Sequence, residues 1–526
     1  MENTIWSLVP PILAIIMVLL TKRVLLSLGV GIVASAFFIG SFHVGESLGL
    51  VWEAFKGVFV DGGAVNTWNV YILLFVLMLG VLTAFVSIMG GTKAFGDWMI
   101  RRVKTRAGAQ IMTMVLGVIV FVDDYFNSLT VGQVARPVTD KHRISRTKLA
   151  YIVDSTSAPI CVIAPVSSWG AYIIGILGTV FAAQSVTGHT AFGAFLQIIP
   201  MNFYVWSALG VVLIIAIRQV DFGPMKLHEE RAIQTGEVLD PANKEAVDTE
   251  SNLPTSDSGK IRDLVVPIAV LFVATLVAIY LNGRGAVEGD KTLINIFGSA
   301  DVSVALLYGG LIGLAVTFTL FLNHIFNGKL TPKHFGIGLF EGIKSMLPGF
   351  TILIFAWAIV FLIGELGTGE YLAGVVDNAN ISLMFLPFIM FIIAGFIAFS
   401  TGTSWGSFGI LLPIAGEIAA VADVSLILPM LAAVLAGAVF GDHCSPISDT
   451  TILSSAGSSC HHIDHVTTQI PYALVAAGIA GIGYIVLGIF GNVWIGLLAV
   501  IIGLVLFFLF AKRLDNVETV DETIAQ

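Results

Sequence analysis

Apolar runs of about 20 residues recur along the whole chain, separated by short polar segments, and each could cross about 30 Å of hydrocarbon as a helix. The pattern predicts crossings over Ile5–Leu20, Val24–Ser41, Trp68–Ile88, Leu149–Gln184, Ile198–Ile217, Leu264–Leu281, Val302–Leu322, Phe350–Leu366, Ile427–Ser455, Tyr472–Phe490 and Val493–Phe510, the fourth and ninth being broken by polar residues. Two apolar stretches do not fit as simple crossings. Gly108–Ala135 has 28 residues, too few for two passes of about 20 each, and carries a polar tip from Val122 to Ser128. Ser382–Ala420 has its polar tip at Ser400–Ser407. Both read as re-entrant hairpins, which membranes tolerate only where protein or a watery cavity surrounds the backbone. The expected fold is an all-α polytopic membrane protein of about 11 transmembrane helices plus two re-entrant hairpins.

Composition agrees. Of 526 residues, 56% are hydrophobic and 12% charged, against about 25% charged in soluble domains, which excludes a large soluble core. Lys and Arg set orientation: they cluster at Lys22-Arg23, at Lys93, Arg101, Arg102, Lys104 and Arg106, in the 218–262 loop, at Lys329, Lys333 and Lys344, and at Lys512-Arg513. Every second loop is therefore basic, apart from one that the topology makes cytoplasmic by count alone, which puts the N-terminus outside and the C-terminus in the cytoplasm, with Arg284 and Lys291 as the basic pair in an outside loop. The net charge of −9 is mostly peripheral: residues 221–262 hold nine acidic and five basic residues, and the tail from Lys512 holds four and two. Nucleic acid is excluded as a partner on that balance. Cys161, Cys444 and Cys460 have no paired spacing and form no zinc signature, no cleavable signal peptide is evident, and no Walker sequence or nucleophile elbow appears.

The chain also resembles itself. Pro159-Ile160, Ser167-Ser168 and Gly170 recur as Pro446-Ile447, Ser454-Ser455 and Gly457, and Asn127, Thr130 and Gly132 match Ser404, Ser407 and Gly409. Ten Lys and Arg flank the first hairpin, whereas none occurs from 345 to 511, so the two copies should enter from opposite sides. Inverted repeats with broken helices meeting near the midplane are the plan of secondary transporters. The expected division is an N-terminal helix (1–23), a first repeat (24–220) with its hairpin at 108–138, an acidic and flexible cytoplasmic link (221–262), a connecting helix and outside loop (263–301), a second repeat (302–490) with its hairpin at 382–420, and a last helix with a cytoplasmic tail (491–526).

Carboxylates inside spans are costly and mark function. Asp123-Asp124 lie at the first tip, Asp154 in Asp154-Ser155-Thr156-Ser157-Ala158-Pro159, Asp442 in Gly441-Asp442-His443-Cys444-Ser445-Pro446, and Asp449 in Ser448-Asp449-Thr450-Thr451. Carboxylate, hydroxyl and freed carbonyl oxygens suit a hard cation such as Na⁺, or a proton. The 167 residues from 345 to 511 carry eight carboxylates and no basic residue, so a mobile cation is the expected substitute. Ser400, Thr401, Thr403 and Ser404 read either as ligands or as a close-packing face. Asp123 and Asp124, being adjacent, cannot both face one site, so one should hold the turn. His443 reads equally as a proton carrier or a capping donor. The run Cys460-His461-His462-Ile463-Asp464-His465 reads as a polar cytoplasmic loop, with a pH or metal sensor as its alternative.

Val122-Asp123-Asp124-Tyr125-Phe126-Asn127, Asp154-Ser155-Thr156-Ser157-Ala158-Pro159 and Gly441-Asp442-His443-Cys444-Ser445-Pro446-Ile447-Ser448-Asp449-Thr450-Thr451 resemble the NhaC family of bacterial sodium/proton antiporters over residues 10 to 510, the last motif being the most specific. The resemblance implies exchange of Na⁺ for H⁺ across a bacterial plasma membrane by alternating access, without enzymatic activity or cofactor. Asp154 and Asp449 are then the main expected ion ligands, with Asp124 and Asp442 supporting and Asn127, Ser155, Thr156, Ser157, Thr403, Ser404, Ser445 and Thr450 adding neutral oxygens. Tyr125, Trp169, Trp405 and His443 would line a substrate pocket. The alternative is a Na⁺- or H⁺-coupled carrier of an amino acid or carboxylate. Expected partners are Na⁺, H⁺ and the bilayer, with an organic solute and a second copy of the chain left open; no metal is expected.

Overall fold

The structure, a computed structural model, describes residues 4–21, 23–186, 188–241, 253–287, 300–367, 382–446 and 448–511, with positions 291, 296 and 371. Lys22, Ile447, the link from 242 to 252 and the tail from Lys512 lie outside the described residues.

The first apolar runs form α1 (Val9–Thr21) and α2 (Val24–Ile39). They are followed by α3 (Val44–Phe59), an amphipathic helix absent from the predicted crossings because Glu46, Glu53 and Lys56 interrupt its apolar side. A two-residue ribbon, β1 (Val60–Asp61) against β2 (Ala64–Val65), turns the chain into α4 (Thr67–Met89). Gly90, at φ +77°, then reverses it into α5 (Gly91–Arg102); a side chain there would strike the carbonyl of Ser256 at 2.1 Å.

The first hairpin is α6 (Arg106–Ile119) and α7 (Asp124–Lys141), broken at 120–123. The predicted broken run 149–184 comprises α8 (Arg146–Ser155), the single turn α9 (Ala158–Cys161) and α10 (Ser168–Ala183), and α11 (Ala191–Ile198) and α12 (Phe203–Arg218) follow. Residues 221–241, read from composition as flexible link, are folded: α13 (Pro224–Thr235) carries a fully buried Glu229. The difference has a physical cause, because acidic residues of the link meet basic residues that the sequence shows only at the ends of distant helices. Arg106 donates to Glu229 at 2.5 Å, and Lys148 donates to Asp221 at 2.6 Å and lies 3.6 Å from Glu229.

The second half runs through α14 (Arg262–Ala286), α15 (Val302–Phe326) and α16 (Lys333–Leu366). Its hairpin is α17 (Leu386–Thr401) and α18 (Ser404–Ala422), joined by Gly402 at φ +70°. The predicted run 427–455 is α19 (Ile427–Cys444) and α20 (Asp449–Gly457), broken at 445–448. Last come α21 (His462–Phe490) and α22 (Val493–Phe510). The predicted polar loop 460–465 is thus largely the first turn of α21, and His465 is completely buried.

Among the described residues, nine helices are long and apolar enough to span a membrane, or ten if Ala191–Met201 and Phe203–Arg218, bent by 44°, count as one. With its exposed Leu498, Ile501, Ile502, Val505, Leu506 and Leu509, α22 shows the lipid-facing character of the periphery. The chain is therefore an all-α, multi-pass membrane protein.

Candidate functional site

Helix ends within a bilayer pose a specific problem. The first N–H groups of each helix lack intrahelical partners, and hydrocarbon offers none. The sequence places a capping residue at three of the helix starts near the centre. Asp123 caps α7 by accepting from Phe126 N at 3.0 Å, Ser167 caps α10 by accepting from Gly170 N at 2.8 Å, and Ser448 caps α20 by accepting from Thr451 N at 3.3 Å. The start of α18 is held from across the fold, because Asp442 Oδ2 accepts from Ser404 N at 3.1 Å and Ser404 Oγ at 2.7 Å, and Oδ1 accepts from Ser448 Oγ at 2.6 Å.

These breaks bring Asp123, Asp124, Asp154 and Asp442 within electrostatic reach of Asp449, with Asp123 also close to Asp124 and Asp154 close to Asp442. All are buried except Asp449, which is partly exposed. Among the described residues no Lys or Arg forms an ion pair with any of them; the cation-forming group in contact is His465, whose Nε2 lies 3.3 Å from Asp154 Oδ2.

Hydrogen bonding sorts the five. Asp123 is engaged twice, since its Oδ2 also accepts from Ser168 Oγ at 2.9 Å. Asp154 is engaged four times, by Thr451 Oγ1 at 3.0 Å, Ser454 Oγ at 3.2 Å, Gln469 Nε2 at 2.7 Å and His465. Asp449 accepts from the Tyr125 hydroxyl and from Thr450 N. Asp124 differs, because its Oδ2 is buried with no hydrogen-bond partner. One turn along α7, Asn127 donates its Nδ2 to the carbonyls of Gly117 at 2.7 Å, Val120 at 3.0 Å and Thr156 at 3.0 Å, which fixes its amide orientation and leaves Oδ1 buried without a donor.

The remaining expected residues surround this core. Ser157 Oγ donates to the Asp124 carbonyl at 2.9 Å and sits 2.7 Å from Ser128 Oγ. Thr156 bonds back to Ile152 O, and Ser445 Oγ donates to Phe399 O at 2.6 Å. Thr450 Oγ1 lies 3.0 Å from Ser448 Oγ. Ser400 and Thr401 end α17, with Thr401 bonding back to Ala398 O, and Thr403 opens α18 without a side-chain cap. His443 is held at both ring nitrogens, by Ser155 Oγ at 3.1 Å and by the Tyr204 hydroxyl at 2.7 Å. Trp169 and Trp405 meet edge to face at 5.9 Å, and Tyr172 donates to Trp405 O at 2.8 Å. The indole N–H of Trp169 faces Asp124 without closing a hydrogen bond on Oδ2.

Sequence reasoning missed His465, Gln469, Thr451, Ser454, Ser168 and Tyr204. Signals were present for most of them: Ser168 and Ser454 lie in the internal repeat, Thr451 in the Asp449 motif, and His465 and Gln469 are four apart, so they share one face. A cleft of about 160 Å³, lined by Thr83, Thr130, Gln133 and Glu341, reaches Asp123 and Tyr125 from the end of the bundle that bears Lys93 and Arg101.

The family model described as the Na⁺/H⁺ antiporter family matches residues 160–489. A Haemophilus influenzae protein described as uncharacterized is 42% identical over 97% of this chain and 96% of its own. The malate-2H⁺/Na⁺-lactate antiporter of Bacillus subtilis is 31% identical over 35% of this chain and 42% of its own. An arginine/ornithine antiporter of Halobacterium salinarum is 29% identical over 34% and 38%. The fold is similar to that of the YdaH transporter of Alcanivorax borkumensis, with a TM-score of 0.57 at 14% identity over 85% of this chain and 90% of that one.

Proposed function

The chain belongs to the Na⁺/H⁺ antiporter family, and from that membership we propose a secondary antiporter of a bacterial plasma membrane that exchanges Na⁺ for H⁺ by alternating access. One observation carries the choice of ion: three buried oxygen acceptors, Asp124 Oδ2, Asn127 Oδ1 and Gln469 Oε1, lack donors beside a group of carboxylates that no Lys or Arg among the described residues neutralises. Buried acceptors need a partner, and a small hard cation or a proton supplies one where no side chain does. We assign the exchanging position to Asp124 with Asp449, bridged by Tyr125, and give Asp154 a lesser share than its motif suggests, because four donors already engage its carboxylate. Asp123 and Asp442 hold the helix starts that aim these groups.

Alternation follows from competition. A proton on Asp124 or Asp449 and a Na⁺ between them are mutually exclusive, so release of one favours binding of the other on whichever side is open. The two hairpins, read as inverted repeats, would move against the remaining helices, with the basic ends and the C-terminus in the cytoplasm.

A second reading has its own support. The aromatic layer of Trp169, Tyr172, Trp405 and Phe408 adjoins the carboxylates, and relatives are named for carboxylate and amino-acid exchange, so a small organic solute is the alternative cargo. Inverted vesicles separate the two. Addition of Na⁺ should collapse an imposed pH gradient, read by fluorescence dequenching, and Asp124→Asn should abolish the response. Na⁺-dependent uptake of a labelled solute without Na⁺-driven proton movement would replace the first reading with the second.

A further inference from the structure

We propose that His462 is a positioning residue for ion binding at Asp449: in its imidazolium form it clasps the break between α19 and α20 on both sides of that carboxylate. The ring opens α21 and is only partly buried, so protons reach it. Its Nε2 lies 2.6 Å from the carbonyl oxygen of Pro446, inside the break, and its Nδ1 lies 3.1 Å from Ser455 Oγ, in the second turn of α20. Asp449 falls between the two held points, three residues after Pro446 and six before Ser455. Both flanks of Asp449 are thereby tied to the first turn of α21. The bearing on ion binding rests on the proposed Na⁺/H⁺ exchange; the clasp itself does not.

A count of hydrogens assigns the protonation state. A carbonyl oxygen only accepts, so Nε2 must carry a hydrogen to bond Pro446. Ser455 Oγ lies 2.8 Å from Thr451 O, where it too must donate, and its single hydrogen is then spent. The remaining contact, from Nδ1 to Ser455 Oγ, holds a hydrogen only if Nδ1 carries one as well. A neutral ring has one N–H and leaves that contact as two facing lone pairs, whereas an imidazolium has two and completes all three bonds.

The groups around the ring are of both signs. His461, Asp464 and His465 lie beside it at the start of α21, and Asp154 faces it from α8. Arg136, on α7, and Arg146, on α8, bind Ser459 in the turn before α21, and His228, on α13, faces Asp464. From α20 the carboxylate is Asp449 itself. Below the ordinary histidine value of about 6.5 the clasp is complete; above it the Ser455 contact loses its hydrogen and the start of α20 is held by the break alone. A carboxylate fixed by its surroundings binds a cation more tightly than one that must first be ordered, so the proton on His462 favours Na⁺ at Asp449.

The clasp is tested by nitrogen NMR of the full-length protein in nanodiscs with isotope-labelled histidine, His462→Gln identifying the His462 signals. Ser455→Ala removes the acceptor of the Nδ1 hydrogen, so the His462 titration midpoint should fall by about one pH unit, a tenfold loss of proton affinity. A midpoint that rises or stays overturns the clasp, because Ser455 would then donate to a neutral ring or not engage it. Positioning is tested in inverted vesicles, which turn this basic face outward on the proposed orientation. The KM for Na⁺ in His462→Gln should exceed that of wild type about threefold near pH 6 and approach it near pH 8.5, with the maximal rate little changed. Ser455→Ala should follow the same course. A ratio equal at both pH values overturns the positioning role, since a purely structural defect has no reason to follow the proton. Wild-type vesicles without Na⁺-driven proton movement would overturn the exchange reading and the positioning role with it, while the midpoint still decides the clasp.

Discussion

Asp123 and Asp124 are adjacent and buried, yet hydrogen bonding gives them different work. Both Asp123 oxygens are committed, one to the α7 start and one to Ser168, so Asp123→Ala should remove a cap and destabilise the protein by roughly 1 kcal/mol or more, whereas Asp123→Asn, which can still accept at the cap, should be milder. Asp124→Asn removes a carboxylate whose Oδ2 has no donor, so its melting temperature should hold while Na⁺-driven proton movement is lost. Thermal unfolding and vesicle exchange on the same three variants check this; loss of folding in Asp124→Asn together with retained exchange in Asp123→Ala would reverse the assignment. The sequence showed that a carboxylate pair sits at a tip but could not rank its members, because the rank depends on which residue takes the extended N-cap conformation, here Asp123 at φ −156°, ψ 140°. For Asp154 the motif was legible, but its partners Thr451 and Gln469 lie 297 and 315 residues away, beyond any local pattern.

Elements meet closely where glycine allows it. Backbones of α7 and α20 cross at Gly132 and Gly457: a methyl group on Gly132 would lie 2.6 Å from the Gly457 carbonyl carbon, and one on Gly457 would lie 2.6 Å from Ser128 O. This crossing sets Asp124, on α7, against Asp449, on α20, so Gly132→Ala should cost about 1–3 kcal/mol by overpacking and reduce exchange further than its loss of stability explains. Normal exchange in that variant would show that the crossing does not set the site. Helix α13 presents a different dependence. Burial pushes the Asp221 carboxyl up to about 6, against the pull of Lys148, while Lys148 and Arg106 together hold Glu229 below the usual carboxylate range despite its burial. A raised carboxyl contributes most stability when protonated, and the contribution falls as pH rises through the folded value. Between pH 4 and pH 7 the protein should therefore lose roughly 2 kcal/mol relative to Asp221→Asn, visible as converging or crossing melting curves. Glu229→Ala, by contrast, leaves Arg106 buried without its carboxylate and should destabilise by about 3–5 kcal/mol. Composition hid α13 because its stabilising partners sit at the starts of α6 and α8, and an acidic loop read alone has nothing to bury.

At the scale of the molecule, long apolar runs revealed the membrane class, since hydrocarbon thickness constrains length directly, while the two arms of the second expected hairpin, Leu383–Thr401 and Ser404–Ala422, are each long and apolar enough to cross. What the runs could not reveal is which end of the bundle opens to the carboxylates, because that depends on side-chain packing between halves. Here the cleft from the Lys93 end reaches Asp123 and Tyr125, while Trp169, Tyr172, Trp405 and Phe408 pack against one another between the carboxylates and the opposite end. Among the described residues, this cleft approaches the carboxylates from the basic end. Cys161, Cys444 and Cys460 are all buried, so introduced thiols can be read above a low background. Thr130 and Ser345 both line the cleft; Thr130 is 8% exposed and Ser345 lies nearer solvent. In membranes of known orientation, an impermeant thiol reagent should label Thr130→Cys and Ser345→Cys from the basic face. If Na⁺ seats between Asp124 and Asp449 and allows the alternate state to form, it should slow labelling at Thr130→Cys, one turn from Asn127, while Ser345→Cys reacts much as before. Equal labelling of Thr130→Cys from both faces, with and without Na⁺, would mean a continuous pathway and would rule out alternating access through this cleft.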